Sequence, residues 1–409
     1  MREKIYILAK AEMKSPISIS NGQKDKTDKD IIRDFDDNPF IPGSSIAGAF
    51  RNYLCDEDAE ALFGYSNNEE SQRSPIIVYD ARIEGSYSVG VRDGVKLDDE
   101  KIAELRGKYD YEVLETGQII FRFEMEQENS FCEDKLYELL SAVNTGEIRF
   151  GYKKNRGNGR LFFSEVYRKK YSADSNPPFF TFSWDIFDSE EEHKNVAQEV
   201  LFENQNSDKY VKMVIPLNLE GGISIRQYSS LKEKPDFKHI TRNGNAVIPG
   251  SSWSGALRQC AKKILVELDC CSKTAENILK SVFGSTKKEI GASKVVIAES
   301  ELRHTVFVPM TRNKINRFDG STINGALYSE ISCFGGECEL EIFIEENQEK
   351  WVKGLFHILV KEIGNGFLAI GGQTAIGRGI FSLREYTFPY ECEEIKAFLD
   401  FVKGNKNEI

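Results

Sequence analysis

The chain has 409 residues, is 40% hydrophobic and 11% aromatic, and carries a net charge of −11. That length suits two or three domains, each able to bury its own core, and the acidity argues against non-specific nucleic-acid binding. No apolar run is long enough to span a membrane, the opening MREKIYILAKAEMK is too charged for a secretory signal, and eight cysteines without CxxC spacing argue against a zinc site. A reducing, cytoplasmic setting is expected.

In chain order, residues 4–13 read as a first strand and 17–20 as a short second apolar stretch, followed by a polar, Asp-rich loop over 21–38. Residues 41–51 are IPGSSIAGAFR. Pro42 forbids helix before it, Gly43 suits a tight turn, and Ser44 or Ser45 can cap the helix that follows. Such a helix would present free amides and the positive end of its dipole to a phosphate. Gly48 leaves room for a close backbone approach, and Arg51 can reach a phosphate or a buried acid. The same stretch also fits a strand–turn–helix junction with no ligand. Strands are expected at 74–83 and 117–125, a helix at 133–145, a Gly-rich loop GYKKNRGNGR at 151–160, and a strand at 161–166. Residues 172–208 are a polar connector whose Phe179, Phe180, Phe182, Trp184 and Phe187 are expected to pack as core.

The same order then returns. IPGSSWSGALR at 248–258 matches the first motif at eight of eleven positions, 207 residues on. LFG (62–64) answers VFG (282–284), the strand at 74–83 answers 293–302, 117–125 answers 336–344, and the helix at 133–145 answers 350–363. Gly151, Gly157 and Gly159 answer Gly371, Gly377 and Gly379 at an offset of 220, so about 13 residues are inserted near 259–281. Each half reads strand, helix, strand, insertion, strand, helix, Gly-rich loop, strand. That is an α+β, ferredoxin-like (RRM-like) βαββαβ order with a long insertion between strands two and three, its antiparallel sheet covered by helices on one face and free for a ligand on the other. The expected domains are 1–171 and 209–388, with a helical tail over 389–409.

Charge is unevenly spread. Residues 150–171 hold seven lysines and arginines against Glu165 alone, and 303–318 hold Arg303, Arg312, Lys314 and Arg317 with no glutamate. Such stripes fit an RNA groove and equally fit solvated basic faces. The Gly-rich loops are neither a P-loop nor a strand-to-helix dinucleotide fingerprint.

The pairing of I-P-G-S-S-x-x-G-x-x-R with the glycine loop, found in both halves, resembles the RAMP superfamily of CRISPR-associated proteins. Within it, the tandem arrangement is similar to backbone subunits of type III (III-D-like) effector complexes. The resemblance implies stacking along a CRISPR guide RNA, with other effector subunits and target RNA as partners and no membrane. It implies thumb hairpins from about 84–116 and 303–335. It also implies cleavage of guide-paired target RNA by an Asp in the loop before each IPGSS. Here DKDIIRD supplies Asp28 with Arg33 and Asp34, and DFKHITR supplies Asp236, lacking the closing Asp and holding His239. Asp28 and Asp236 would also bind Mg²⁺ or another divalent cation. The implied RNA contacts in the first half are Arg33, Gly43, Ser44, Ser45, Arg51, Arg92, Lys153, Lys154, Arg156, Gly157 and Arg160. In the second they are Gly250, Ser251, Ser252, Arg258, Arg312, Lys314, Gly377 and Arg378. The alternatives are a non-catalytic structural or capping subunit and, less well supported, a guide-processing endonuclease. The latter chemistry often uses a His, and none falls in a glycine loop or at a helix start.

Overall fold

Alternating apolar residues build the first sheet. In the strand Glu3–Met13, Ile5, Ile7, Ala9 and Ala11 are buried on one face, as period-two patterning requires. Helix Ser130–Thr145 covers that face with Leu136, Leu139, Leu140 and Val143, and Phe121, Phe123 and Phe163 complete the core. Strands Ile76–Val78, Ala103–Met125, Glu3–Met13 and Leu161–Ser172 lie side by side in that order, each antiparallel to its neighbour. In order of appearance along the chain this is 2-3-1-4, the ferredoxin-like arrangement. The computed structural model describes residues 3–20, 22, 24–67, 70–97, 103–126, 130–172, 183–184, 195–201, 210–228, 235–285, 293–386 and 392–405.

The second half repeats the order. Strands Val295–Ile297, Glu337–Glu345, Tyr210–Glu220 and Ile380–Leu383 are neighbours in that sequence and all antiparallel. Ile215, Leu217 and Leu219 alternate inward against Trp253, Leu257, Leu355 and Leu359. The chain divides into two compact units. The second comprises 209–409 together with 92–109 and 155–157, and the first comprises the remainder. The 13 inserted residues lengthen two helices. Gly250–Glu267 has 18 residues against 9 in Gly43–Arg51, and Ser272–Phe283 has 12 against 8 in Asp56–Phe63.

Both hairpins are present. In the first half Ala81–Leu97 pairs with Ala103–Met125, and in the second Val306–Arg312 pairs with Tyr328–Phe334. The expectation of an open outer sheet face needs correction in the first half. Trp184 stands edge-on to Tyr6 (5.4 Å) and Tyr79 (5.6 Å), with the Arg122 guanidinium 5.5 Å from its ring, so this face is partly covered. Of the connector, Ala197–Leu201 is helical and buries Ala197 and Leu201 in the first core. Phe179, Phe180, Phe182 and Phe187 lie outside the described residues. Among the described residues, no helix is long and apolar enough to cross a membrane.

Candidate nucleic-acid interface

The repeated motif folds alike in both halves, though not as a serine-capped helix. Pro42 and Pro249 are the N-caps, at φ −58° with ψ 137° and 142°, and no side chain caps either helix. The proline places Gly43 and Gly250 at the first helical position. A Cβ on either would overlap the carbonyl oxygen of an equivalent strand residue, Val78 or Ile297. These glycines therefore serve close helix–strand approach, and neither has a left-handed φ. The first helix start is also not open to an anion, because the Gly43 N–H donates to Asp80 Oδ1 at 2.7 Å. Ser44 is exposed, while Ser45, Ser251 and Ser252 are half-buried.

The motif arginines act within the fold. Arg51 Nη1 donates to Gly64 O (2.9 Å), the C-terminal end of the next helix, and Arg258 Nη2 pairs with Glu276 (2.7 Å). Gly48 and Gly255 behave differently. Both are exposed in helix interiors, and a Cβ on either would meet nothing within 4 Å. A mid-helix glycine costs about 1 kcal/mol relative to alanine. Among the described residues, no packing accounts for that cost at these two equivalent positions.

The glycine loops are near-copies in geometry. Phe150 N–H donates to Gly159 O (3.0 Å), as Ile370 N–H does to Gly379 O (2.8 Å). Tyr152 N–H donates to Ser18 O (2.7 Å), and Gly372 N–H to Ser224 O (2.8 Å). Lys153 and Gln373 both adopt left-handed backbone, at φ 59° and 60°, before a 3₁₀ turn closed by Gly157 or Gly377. Lys154 and Arg156 are exposed and Arg160 is half-buried. Not every basic residue of the 150–171 stripe joins this loop. Arg168 pairs with Glu133 on the helix below.

The two loop aspartates occupy matching positions. Asp28 is exposed, and its N–H donates to Asp110 Oδ1 (2.8 Å) while Asp110 N–H donates to Asp28 Oδ2 (3.2 Å). Asp236 is likewise exposed. Ser329 N–H donates to Asp236 Oδ2 (2.8 Å), and Ser329 Oγ lies 3.3 Å from both that oxygen and Asp236 N. Asp110 and Ser329 are themselves equivalent, 219 residues apart on the inner arm of each hairpin. The loop is further held by Asp30. Burial raises the pKa of this carboxyl, but hydrogen bonds from Lys26, Thr27 and Asp25 outweigh burial and bring it to about 2.

Around each aspartate, loop, hairpin and glycine loop converge. In the first half Lys29 Nζ sits 3.6 Å from the Tyr152 ring, and Lys153 Nζ sits 4.1 Å from the Tyr111 ring. Arg33 pairs with buried Glu112 (3.2 Å). In the second half a buried carboxylate does the same joining. Glu330, 1% exposed, binds Arg226 (3.2 Å), Arg312 (3.3 Å) and Gln373 Nε2 (2.9 Å). Arg378 lies over Phe334 (4.3 Å), and Lys314 is exposed.

One sequence expectation is corrected. Arg92 is only 4% exposed, with Nη1 3.0 Å from buried Glu299 inside the second unit, so it is a core ion pair and not an exposed phosphate contact. His239 is a structural residue. Its Nδ1 accepts from Ile225 N–H (3.1 Å), its Nε2 faces Val247 O (3.1 Å), and burial lowers its pKa to about 4. Sequence reading missed Asp30, Asp110, Glu330 and Ser329. The repeat register alone would have aligned Asp110 with Ser329.

A family model for the RAMP superfamily matches residues 10–162 and 236–382, once per repeat and over well more than half of the chain. The chain belongs to the RAMP superfamily. No curated protein matches it significantly. Each RAMP region spans from the loop carrying its aspartate, or the strand before that loop, through the motif helix, hairpin and glycine loop. Among the described residues, no group of three or more His, Cys, Asp or Glu side chains is placed to hold a metal ion. The donors present are single hard carboxylates, Asp28 in the first domain and Asp236 in the second, both exposed. They fit a divalent cation that takes one or two protein carboxylates and completes its shell with phosphate oxygens and water.

Proposed function

We propose that this RAMP protein is the guide-RNA-binding backbone subunit of a type III effector ribonucleoprotein and cuts guide-paired target RNA once per domain. Its domains are 1–171 and 209–388. The observation that carries this reading is the duplicated convergence of an exposed aspartate, a hairpin arm and a glycine loop. RNA phosphates would lie along the glycine loop, where Lys153, Lys154 and Arg156 neutralise them and Gly157 keeps the backbone close. Gly48 and Gly255 leave the motif helix bare on its exposed side, so the RNA backbone can approach it. The first hairpin would carry Leu105, and the second Ile315, Phe318 and Leu327, all more than half exposed, as apolar wedges between base steps.

Cleavage would use the target's own 2′-hydroxyl. That oxygen loses its proton and attacks the adjacent phosphorus, the 5′-oxygen leaves with a proton, and the ends are a 2′,3′-cyclic phosphate and a 5′-hydroxyl. Asp28 and Asp236 would accept the hydroxyl proton. A divalent cation held by the same carboxylates would neutralise charge on the phosphate. Lys29 and Arg33 flank the first aspartate and, in the second domain, Arg226 and Arg312 are joined close by through Glu330.

The test is the guide-loaded complex carrying Asp28→Ala and Asp236→Ala together. Guide loading is expected unchanged and this subunit's target cuts lost. Full cleavage by that variant would leave a non-catalytic scaffold in place of the nuclease.

A further inference from the structure

We infer that Asp110 and Ser329 are positioning residues, through which each hairpin sets the aspartate of its own domain. This rests on the reading of Asp28 and Asp236 as the cleaving groups. Loop aspartates on a polar segment would ordinarily sample many orientations. Here each is held from two sides. The hairpin arm donates a main-chain N–H to the carboxylate, and its side chain accepts the aspartate's own N–H: Asp110 Oδ1 at 2.8 Å in the first domain, Ser329 Oγ at 3.3 Å in the second. The two rings are built from different side chains at the same repeat position. A hydroxyl and a carboxylate share only one property that both rings use, which is the ability to accept from a backbone N–H. What the two domains have in common is therefore the clamp itself and not the charge at residue 110.

The clamp lies on the arm that leads to the hairpin tip. If the hairpin wedges the paired RNA, its seating also fixes where the carboxylate stands relative to the strand. The position of the cut is then tied to the position of the wedge in each domain separately.

The experiment uses the full chain in its guide-loaded complex and a complementary target RNA. Asp110→Ala should slow the first-domain cut roughly tenfold at saturating target, with target affinity and the second cut unchanged, as expected for losing one side-chain hydrogen bond that orients a reacting group. Asp110→Ser should restore the rate, because it installs the second domain's ring. Ser329→Ala should slow only the second cut, and Ser329→Asp should not. Hydrogen exchange of the Asp28 amide provides a readout independent of cleavage and should speed up in Asp110→Ala and recover in Asp110→Ser. Unchanged exchange in Asp110→Ala overturns the clamp whatever cleavage does. Slowed cleavage that Asp110→Ser fails to restore overturns it as well, and points to the carboxylate charge. Faster exchange in Asp110→Ala, with cleavage untouched by Asp28→Ala, would keep the tether and overturn the aspartate's assignment and its coupling to the cut.

Discussion

His239 shows how burial decides the role of a residue in a motif-like stretch. It lies three residues after Asp236, where a reactive histidine would invite an acid–base role. Its ring instead bridges Ile225 and Val247, and at neutral pH it is uncharged. The sign of its pH effect follows. The folded pKa lies below the unfolded value, so stability is full above about pH 6.5 and falls as pH drops towards 4, by about 3 kcal/mol from this group alone. Denaturation midpoints at pH 7 and 4.5 should differ more for the native chain than for His239→Gln. Asp30 works lower on the scale. Its depressed pKa contributes stability above about pH 4 that is lost as pH falls towards 2. Exchange of the Lys26 and Thr27 amides should accelerate over that window and be fast at neutral pH in Asp30→Ala. Neither residue was legible as structural from sequence, because burial and partners decide it and polar loops give no periodicity to read.

At the scale of elements, the motif helices and glycine loops were readable because glycine and proline leave few conformations. The LFG and VFG matches turn out to be helix ends, with Gly64 and Gly284 at φ 67° and 78°. What could not be read was which glycines serve packing and which serve a ligand. Gly159 and Gly379 are packing glycines: a Cβ there would overlap Phe150 O or Ile370 O, and alanine should destabilise the chain. Gly48 and Gly255 have empty surroundings. Alanine at either should raise stability by about 1 kcal/mol. The same substitution should weaken guide binding, because it puts a methyl group where the RNA backbone runs. Thermal melting and guide affinity of Gly48→Ala therefore move in opposite directions. Parallel movement would remove the motif helix from the interface. The serine caps expected from sequence failed for a simple reason. Pro42 and Pro249 already fix the entry dihedrals, and Asp80 already accepts the first amide in one copy.

For the whole molecule, the repeat was the most informative feature, since matches in one order at an offset that changes once, from 207 to 220, predict paired structure without any propensity argument. It pointed to two ferredoxin-like sheets with an insertion in each, while the hairpins and the pairing of Asp28 with Asp236 came from the family resemblance. The sequence also shows the second glycine loop keeping only Arg378 as a charge, and the structure adds how each domain uses its basic residues. The first leaves Lys154 and Arg156 exposed on its glycine loop. The second carries Gln373 where the first has Lys153, and it turns Arg226 and Arg312 onto Glu330. The first domain should accordingly supply more of the salt-sensitive affinity. Replacing Lys153, Lys154 and Arg156 with glutamine should reduce the slope of log affinity against log salt by about two, as for three single-strand phosphate contacts. Removing Arg312 and Arg378 should change it less.

The measurement that bears most directly on the account is a product map of labelled target RNA cut by complexes carrying Asp28→Ala or Asp236→Ala singly. Two cuts one domain-step apart are expected from the native subunit, each with 2′,3′-cyclic phosphate and 5′-hydroxyl ends. Each substitution should erase one cut and leave the other at its native rate, with guide loading intact. Both cuts persisting in both variants, or both vanishing in Asp28→Ala alone, would contradict two independent sites built on one repeated fold.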